Sequence, residues 1–370
     1  MDKLSKLLNS GSIISSDNLR LLRKFILNKK NIFNILDDLM NELESITYDF
    51  LKSGVIDNIN SNIVTNNINL NIYSGINYNT EYDIASVTKL FTLILVLNYI
   101  DNNIFGLNDK ICDIDTNFKY LDYTILDLIK MSGSIKTNMR IDKTNYQEAV
   151  NILYNTYPVN HDKSINNYTD IGFMVLSKIL EDINNLSYQE IITNFYKSYG
   201  IDINIMKDIT GNGGSIYPHD PKARVMGLIG SAGIFINSPN MDKFIDKIIN
   251  QEIIKEDYLY KLANKLFTNN HSNKGYAGIY IKHPLGIKKT STPLEYSKYA
   301  FSHQGYTGSC IIIDPYLKIH NNILVSAIKD NKKNINFYKY FNIFHQKLVL
   351  LTLKTYLINN EQKIKIIKKI

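Results

Sequence analysis

Tryptophan is absent from the 370 residues, and cysteine occurs only twice. Cys112 and Cys310 lie far apart, in no Cys-x-x-Cys pattern and with no Cys or His neighbours, so neither a disulfide framework nor a zinc site is indicated and reduced thiols are expected. The apolar run at 90–100 falls short of the roughly 20 residues that a membrane span takes, which excludes a transmembrane helix there. The N-terminal stretch MDKLSKLLNSGSIISSDNLRLLRKF has no continuous apolar region and no small-residue cleavage site, so no secretory signal is expected and the chain is placed in the cytoplasm. No internal repeat or long linker stands out. The net charge of +7 comes from scattered lysines that gather only in the tail KIKIIKKI, which reads as a frayed end; without a recognition motif, nucleic acid is not an expected partner.

What is present is an ordinary globular composition, 44% hydrophobic and 21% charged, on a chain long enough for a large core. Ile32, Ile35, Leu36, Leu39, Leu43, Ile46 and Phe50 recur at threes and fours ahead of Ser53-Gly54, which predicts an amphipathic helix over 32–51. A shorter helix is expected over 18–28, behind Ser16-Asp17. NIVTNNINLNIYSG alternates apolar and polar residues on each side of Asn66-Asn67, a hairpin pattern. Thr124 and Asp127 form a capping-box pair before ILDLIKM, with Ser132-Gly133 as the stop, and 145–206 reads as mostly helical. Strand-like runs, YAGIYIKH, SCIIID and NNILVSAIKD, then precede a final helix over 336–358.

Strands at both ends with helices between predict an α+β fold: an antiparallel sheet flanked by the terminal helices, with an inserted, mainly helical subdomain. The chain reads as a single unit, 1–370. Within it, 54–85 and 270–358 with 32–53 make the sheet subdomain, 102–210 the mainly helical subdomain, and 1–31 an extra N-terminal helical segment.

The stretch TEYDIASVTKLFTLILVLNYID places Ser86 three residues before Lys89 at the head of an apolar helix. Residues three apart on a helix lie about 5 to 6 Å apart on one face, so the hydroxyl and the amine can meet at the end where the helix dipole is positive. Burial of the lysine would lower its pKa towards that of a general base, and Ser86 would be its nucleophile. The plain alternative is an N-cap serine beside a snorkelling lysine. A second Ser-x-x-Lys, Ser326 to Lys329, lies in a strand-like run where residues three apart point to opposite faces. Tyr168 and Asp170 stand just before a helix, and His303, Gly305 and Gly308 surround the start of a strand. Alone, these read as a packing residue, a cap and a turn.

In this order, Ser86-Val87-Thr88-Lys89, Tyr168-Thr169-Asp170 and His303-Gln304-Gly305 resemble the three motifs of the serine β-lactamase and penicillin-binding-protein superfamily, nearest its class C-like branch with family VIII carboxylesterases and D-amino-acid peptidases. The surrounding stretches HDPKARVMGLIGSAGIF and HQGYTGSCIIIDP agree, and the resemblance spans about 45–350.

The resemblance implies a β-lactamase/transpeptidase-like fold and acyl transfer through Ser86, with Lys89 and Tyr168 moving the proton and the backbone amides of Ser86 and Tyr306 forming an oxyanion hole. Asp170, His303, Gly305 and Thr307 are the implied substrate-binding residues, with Asp170 also able to orient Lys89. No cofactor or metal is implied, and the implied partner is a small ester, amide or short peptide. His219 and Arg224 either line the pocket or belong to a packed loop shaping it. Asp170 and His303 stand where lactamases proper carry an amide and a lysine, which suits an esterase or peptidase better than a penicillin hydrolase. The alternatives are an inactive relative kept for binding or assembly, and a penicillin-binding cell-wall peptidase.

Overall fold

A computed structural model describes residues 32–370 apart from 161, 165, 206–217, 256–257, 259–279, 282–295, 298, 330–331 and 359–362. The helix expected over 18–28 and most of YAGIYIKH lie outside the described residues. In chain order the first elements are α1 (Ile32–Lys52), β1 (Ile59–Val64), β2 (Ile68–Ser74), β3 (Tyr82–Asp83) and α2 (Thr88–Asp101). The middle of the chain carries α3 (Ile111–Ile114), α4 (Ile125–Lys130), β4 (Ser134–Lys136), α5 (Tyr146–Tyr154), β5 (Tyr157–Asn160), α6 (Ile171–Asn184) and α7 (Tyr188–Ser198). Then come α8 (Pro221–Met226), β6 (Phe235–Ile236), α9 (Ser238–Ile249), β7 (Tyr280–Ile281), β8 (Phe301–Gln304), β9 (Gly308–Asp314) and β10 (Ile319–Ser326). The chain closes with β11 (Ile328–Lys329), β12 (Lys332–Lys333), α10 (Phe337–Tyr356) and β13 (Ile364–Lys369).

The main sheet has seven strands in the order β13-β2-β1-β10-β9-β8-β7, so both ends of the chain build it. β1 and β2 pair antiparallel across the Asn66-Asn67 turn, and β1 pairs β10. Because successive strand residues face opposite sides, the fully buried run of β9 divides: Cys310 and Ile312 join one core, and Ile311 and Ile313 the other. The first core lies under α1 and α10. Leu36, Leu43, Ile46 and Phe50 of α1 meet Phe337, Phe341, Phe344 and Leu348 of α10 there, with the Phe50 and Phe344 rings stacked at 5.0 Å. Each such side chain contributes about 1.5–3 kcal/mol on burial, far more than helix propensity supplies. The second core holds α2 and the mid-chain helices against the opposite face.

Three expectations change. β13 is formed by the tail read as a frayed end. Its Ile/Lys alternation puts Ile364 and Ile366 against the core, and it runs parallel to β2, so the sheet is antiparallel with one parallel edge pair. α4 has the expected Thr124–Asp127 capping box, but Met131 takes the left-handed cap position ahead of Ser132-Gly133. Ser86 lies in a 3₁₀ turn, Ala85–Val87, that precedes α2.

The abundance of asparagine has a structural consequence. Asn62 and Asn322 are buried in β1 and β10, and both donate to the Asp242 carboxylate on α9, which also meets His320 at 3.3 Å. Strand side chains of this kind need partners once buried, and α9 supplies one.

Candidate active site

α2 is apolar on nearly every side and is buried from Thr88 to Leu97, so its first turn is a fixed point. Thr92 Oγ1 donates to the Gly230 carbonyl at 2.7 Å, and the Tyr196 hydroxyl donates to the Phe91 carbonyl at 2.7 Å. Just before α2, Ala85 has φ of +47°, a left-handed conformation that costs an L-residue roughly 1–2 kcal/mol. Asp83 holds that turn, its carboxylate accepting from the Ala85 amide at 2.7 Å.

Lys89 is fully buried, and its ammonium donates to Ser86 Oγ at 3.0 Å and to the Ser231 carbonyl at 3.1 Å. Asp170 Oδ1, at the entry to α6, lies 2.7 Å from the same nitrogen, and the Tyr168 ring centroid lies 5.1 Å away. The second motif therefore reaches Lys89 from the helical side of the molecule. Asp170 is also shared: Lys222 Nζ, in the first turn of α8, lies 3.1 Å from its Oδ2 and 3.2 Å from Asp220 Oδ2. Tyr168 is 39% exposed, so the site opens on the phenol side.

These contacts correct the expected lysine electrostatics. Burial pulls the Lys89 pKa down, as anticipated, but the Asp170 carboxylate and the Tyr168 phenol more than offset it, and the net direction is upward. Burial likewise pushes the Asp170 carboxyl up, yet Lys89 and Lys222 outweigh it and hold the pKa at about 2. Lys89 is thus an ammonium with four neighbours in this arrangement, Ser86, Ser231, Asp170 and Tyr168.

The third motif arrives on β8. Gly305 packs so closely on the turn that carries Ser86 that an added Cβ would lie 2.3 Å from the Ile84 carbonyl oxygen and 3.1 Å from the Ala85 Cβ. Gly305 N–H donates to the Ser309 carbonyl and Gly308 N–H to the Gly305 carbonyl, closing a turn in which the Tyr306 amide has no backbone acceptor among the described residues. His303 is only 2% exposed, on the same sheet face as Phe301. Thr307 is fully buried, with its hydroxyl donating to the Asp83 carbonyl at 2.7 Å; it ties the loop down and has no hydroxyl hydrogen to offer a ligand.

His219 stacks on the Tyr306 ring, with centroids 5.2 Å apart and planes at 16°, whereas Arg224 Nε donates to the Pro218 carbonyl and so fixes its own loop. Sequence reasoning missed Lys222, Asp83 and Ser231. The strain at Ala85 that gives Asp83 its role is seen only in the structure, and the Ser231 contribution is a backbone carbonyl that no side-chain pattern announces. Among the described residues no group of three or more His, Cys, Asp or Glu side chains gathers in a way that could hold a metal ion, and no described helix is long and apolar enough to cross a membrane.

The fold is similar to that of a β-lactamase/D-alanine carboxypeptidase from Pseudomonas syringae, at 12% identity over 85% of this chain and 99% of that one, with a TM-score of 0.66. A D-amino acid amidase from Ochrobactrum anthropi matches at 12% identity over 85% and 98% of the two chains (TM-score 0.64). An octameric penicillin-binding protein homologue from Pyrococcus abyssi matches at 17% over 84% and 77% (TM-score 0.63). A search of curated proteins returns no match. The β-lactamase family profile, however, matches residues 72–326 and so takes in all three motifs. The chain belongs to the β-lactamase family.

Proposed function

We propose that this protein is a serine hydrolase that cleaves an ester or amide bond through an acyl-enzyme on Ser86. The observation that carries the reading is the 3.0 Å contact between Lys89 Nζ and Ser86 Oγ, beside a phenol and a glycine strand brought there from distant segments. Ser86 Oγ attacks the carbonyl carbon while its proton passes to Tyr168 acting as the phenolate, which becomes the neutral phenol, because a paired ammonium cannot accept a proton. The Lys89 ammonium stands opposite that oxygen and balances its charge whenever it is deprotonated. Tyr168 then returns the proton to the leaving group, and water cleaves the ester. The amides of Ser86 and Tyr306 are the proposed donors to the oxyanion, which is worth roughly 10²–10³ in rate for each donor in comparable sites.

The substrate class is a small ester, amide or short peptide. Neighbours support that range: besides the amidase and the carboxypeptidase, EstCE1 is described as a hydrolase with promiscuous acyltransferase activity and matches over 88% of this chain with a TM-score of 0.63. A panel of p-nitrophenyl esters, D-amino-acid amides and a chromogenic lactam tests the reading. Turnover of at least one class is expected, lost in Ser86→Ala and cut at least a hundredfold in Tyr168→Phe. No turnover of any class by a folded sample would overturn it and favour a family member kept for binding, and activity that survives Lys89→Ala and Tyr168→Phe unchanged would overturn the roles given to those residues.

A further inference from the structure

Asp83 is fully buried on β3 and is used by three separate parts of the site. Its Oδ1 accepts from the Ala85 amide at 2.7 Å, fixing the strained turn before Ser86. Its Oδ2 accepts from the His219 amide at 2.8 Å and faces His219 Nδ1 at 3.0 Å, so the imidazole carries its hydrogen on Nδ1. Its carbonyl accepts from the Thr307 hydroxyl at 2.7 Å. The oriented imidazole then lies flat against Tyr306, whose ring also lies 5.3 Å from Lys333 Nζ. The nucleophile turn, the loop before α8 and the Gly305–Gly308 turn are thereby referred to one residue, the first two through its carboxylate and the third through its carbonyl.

We propose that Asp83 and His219 form a positioning pair that holds the Tyr306 turn in register with Ser86. The pair touches neither Ser86 Oγ nor Lys89. Its contribution is geometric: the stacked imidazole fixes the ring, the ring fixes the turn, and the turn aims the Tyr306 amide. An oxyanion donor displaced by a fraction of an ångström stabilises the transition state less while leaving ground-state binding nearly intact. The catalytic part of this inference rests on the acyl-transfer reading; the structural part does not.

The test uses His219→Ala, Asp83→Asn and the double variant of the full chain. The expected result with p-nitrophenyl butyrate is a fall in kcat of roughly 10- to 100-fold in each single variant with KM within about twofold. Phenylboronic acid, whose adduct on serine resembles the tetrahedral intermediate, weakens by the same factor. The double variant is no worse than the poorer single one, because the two residues act as one unit. Independently of turnover, amide hydrogen exchange across 305–308 accelerates in His219→Ala. A KM effect at constant kcat, factors that multiply in the double variant, or unaltered exchange at 305–308 would each overturn the proposal. If Asp83→Asn does not fold, His219→Ala carries the test, its side chain being 16% exposed. Faster exchange in a protein that neither turns over esters nor binds the boronate upholds the positioning contact and refutes the acyl-transfer reading instead.

Discussion

Replacing Asp170 by asparagine keeps the shape of the side chain but removes the charge shared by Lys89 and Lys222. Lys89 is fully buried, so the loss of its 2.7 Å carboxylate leaves an ammonium with neutral partners, the Ser86 hydroxyl, the Ser231 carbonyl, the neighbouring phenol and the introduced amide. Breaking a buried pair in this way costs roughly 3–5 kcal/mol, and the 29% exposure of the Asp170 side chain points to the lower end, about 3 kcal/mol. Across 370 residues an unfolding entropy of about 2.1 cal/mol/K per residue turns that into a drop in Tm of about 4 °C. The sign of its pH dependence follows from Lys89. In the parent protein its folded pKa is raised, so its contribution is fully present at neutral pH and is lost only as pH climbs through that high value. In Asp170→Asn the Asp170 charge no longer offsets burial, the folded pKa falls, and the unpaired ammonium destabilises the fold most at lower pH. The deficit therefore narrows between pH 7 and pH 10. Thermal unfolding followed by far-UV circular dichroism, which suits a chain without tryptophan, measures this directly. A deficit below about 1 kcal/mol, or one constant over that range, would refute the reasoning.

Other outcomes follow from the same contacts. Gly305→Ala sets a Cβ 2.3 Å from a backbone oxygen, so β8 must retreat from the Ser86 turn; kcat on the best ester is expected to fall at least a hundredfold while the urea midpoint shifts modestly. Asp242→Ala strips the acceptor from Asn62, Asn322 and His320 and is expected to cost about 3 kcal/mol in urea unfolding, with kcat of the folded fraction unchanged. On the acid side, Asp170 has its pKa depressed from 3.8 to about 2, so it contributes roughly 2 kcal/mol above pH 4 that disappears as pH falls towards 2. Urea midpoints at pH 5 and pH 2.5 should show this extra acid loss in the parent and not in Asp170→Asn.

Much of this site was legible because its chemistry is written in side chains. Ser86 and Lys89 fall three residues apart at the head of an apolar element, whereas Tyr168, Asp170 and Gly305, which alone read as a packing residue, a cap and a turn, stood out only through the order in which the three motifs resemble the family. The antiparallel sheet could be read from period-two runs, although the parallel strand β13 could not, since eight residues of isoleucine and lysine looked like a charged end until β2 offered an edge to pair with. The Lys89 electrostatics were misread for a definite reason. Local sequence shows the apolar body of α2 but not the carboxylate that folding delivers from 81 residues downstream, nor the second lysine that shares it. Asp83 was passed over because its partners, His219 and Thr307, are distant in sequence and only the fold makes it a junction.

The central claim is that Ser86 is a nucleophile activated inside a buried polar cluster. A fluorophosphonate probe followed by peptide mass spectrometry tests it most directly. Attachment to the peptide containing Ser86, abolished in Ser86→Ala and slowed at least tenfold in Tyr168→Phe, is the predicted result. A folded protein that stays unlabelled, or that labels at a different serine, would contradict the account.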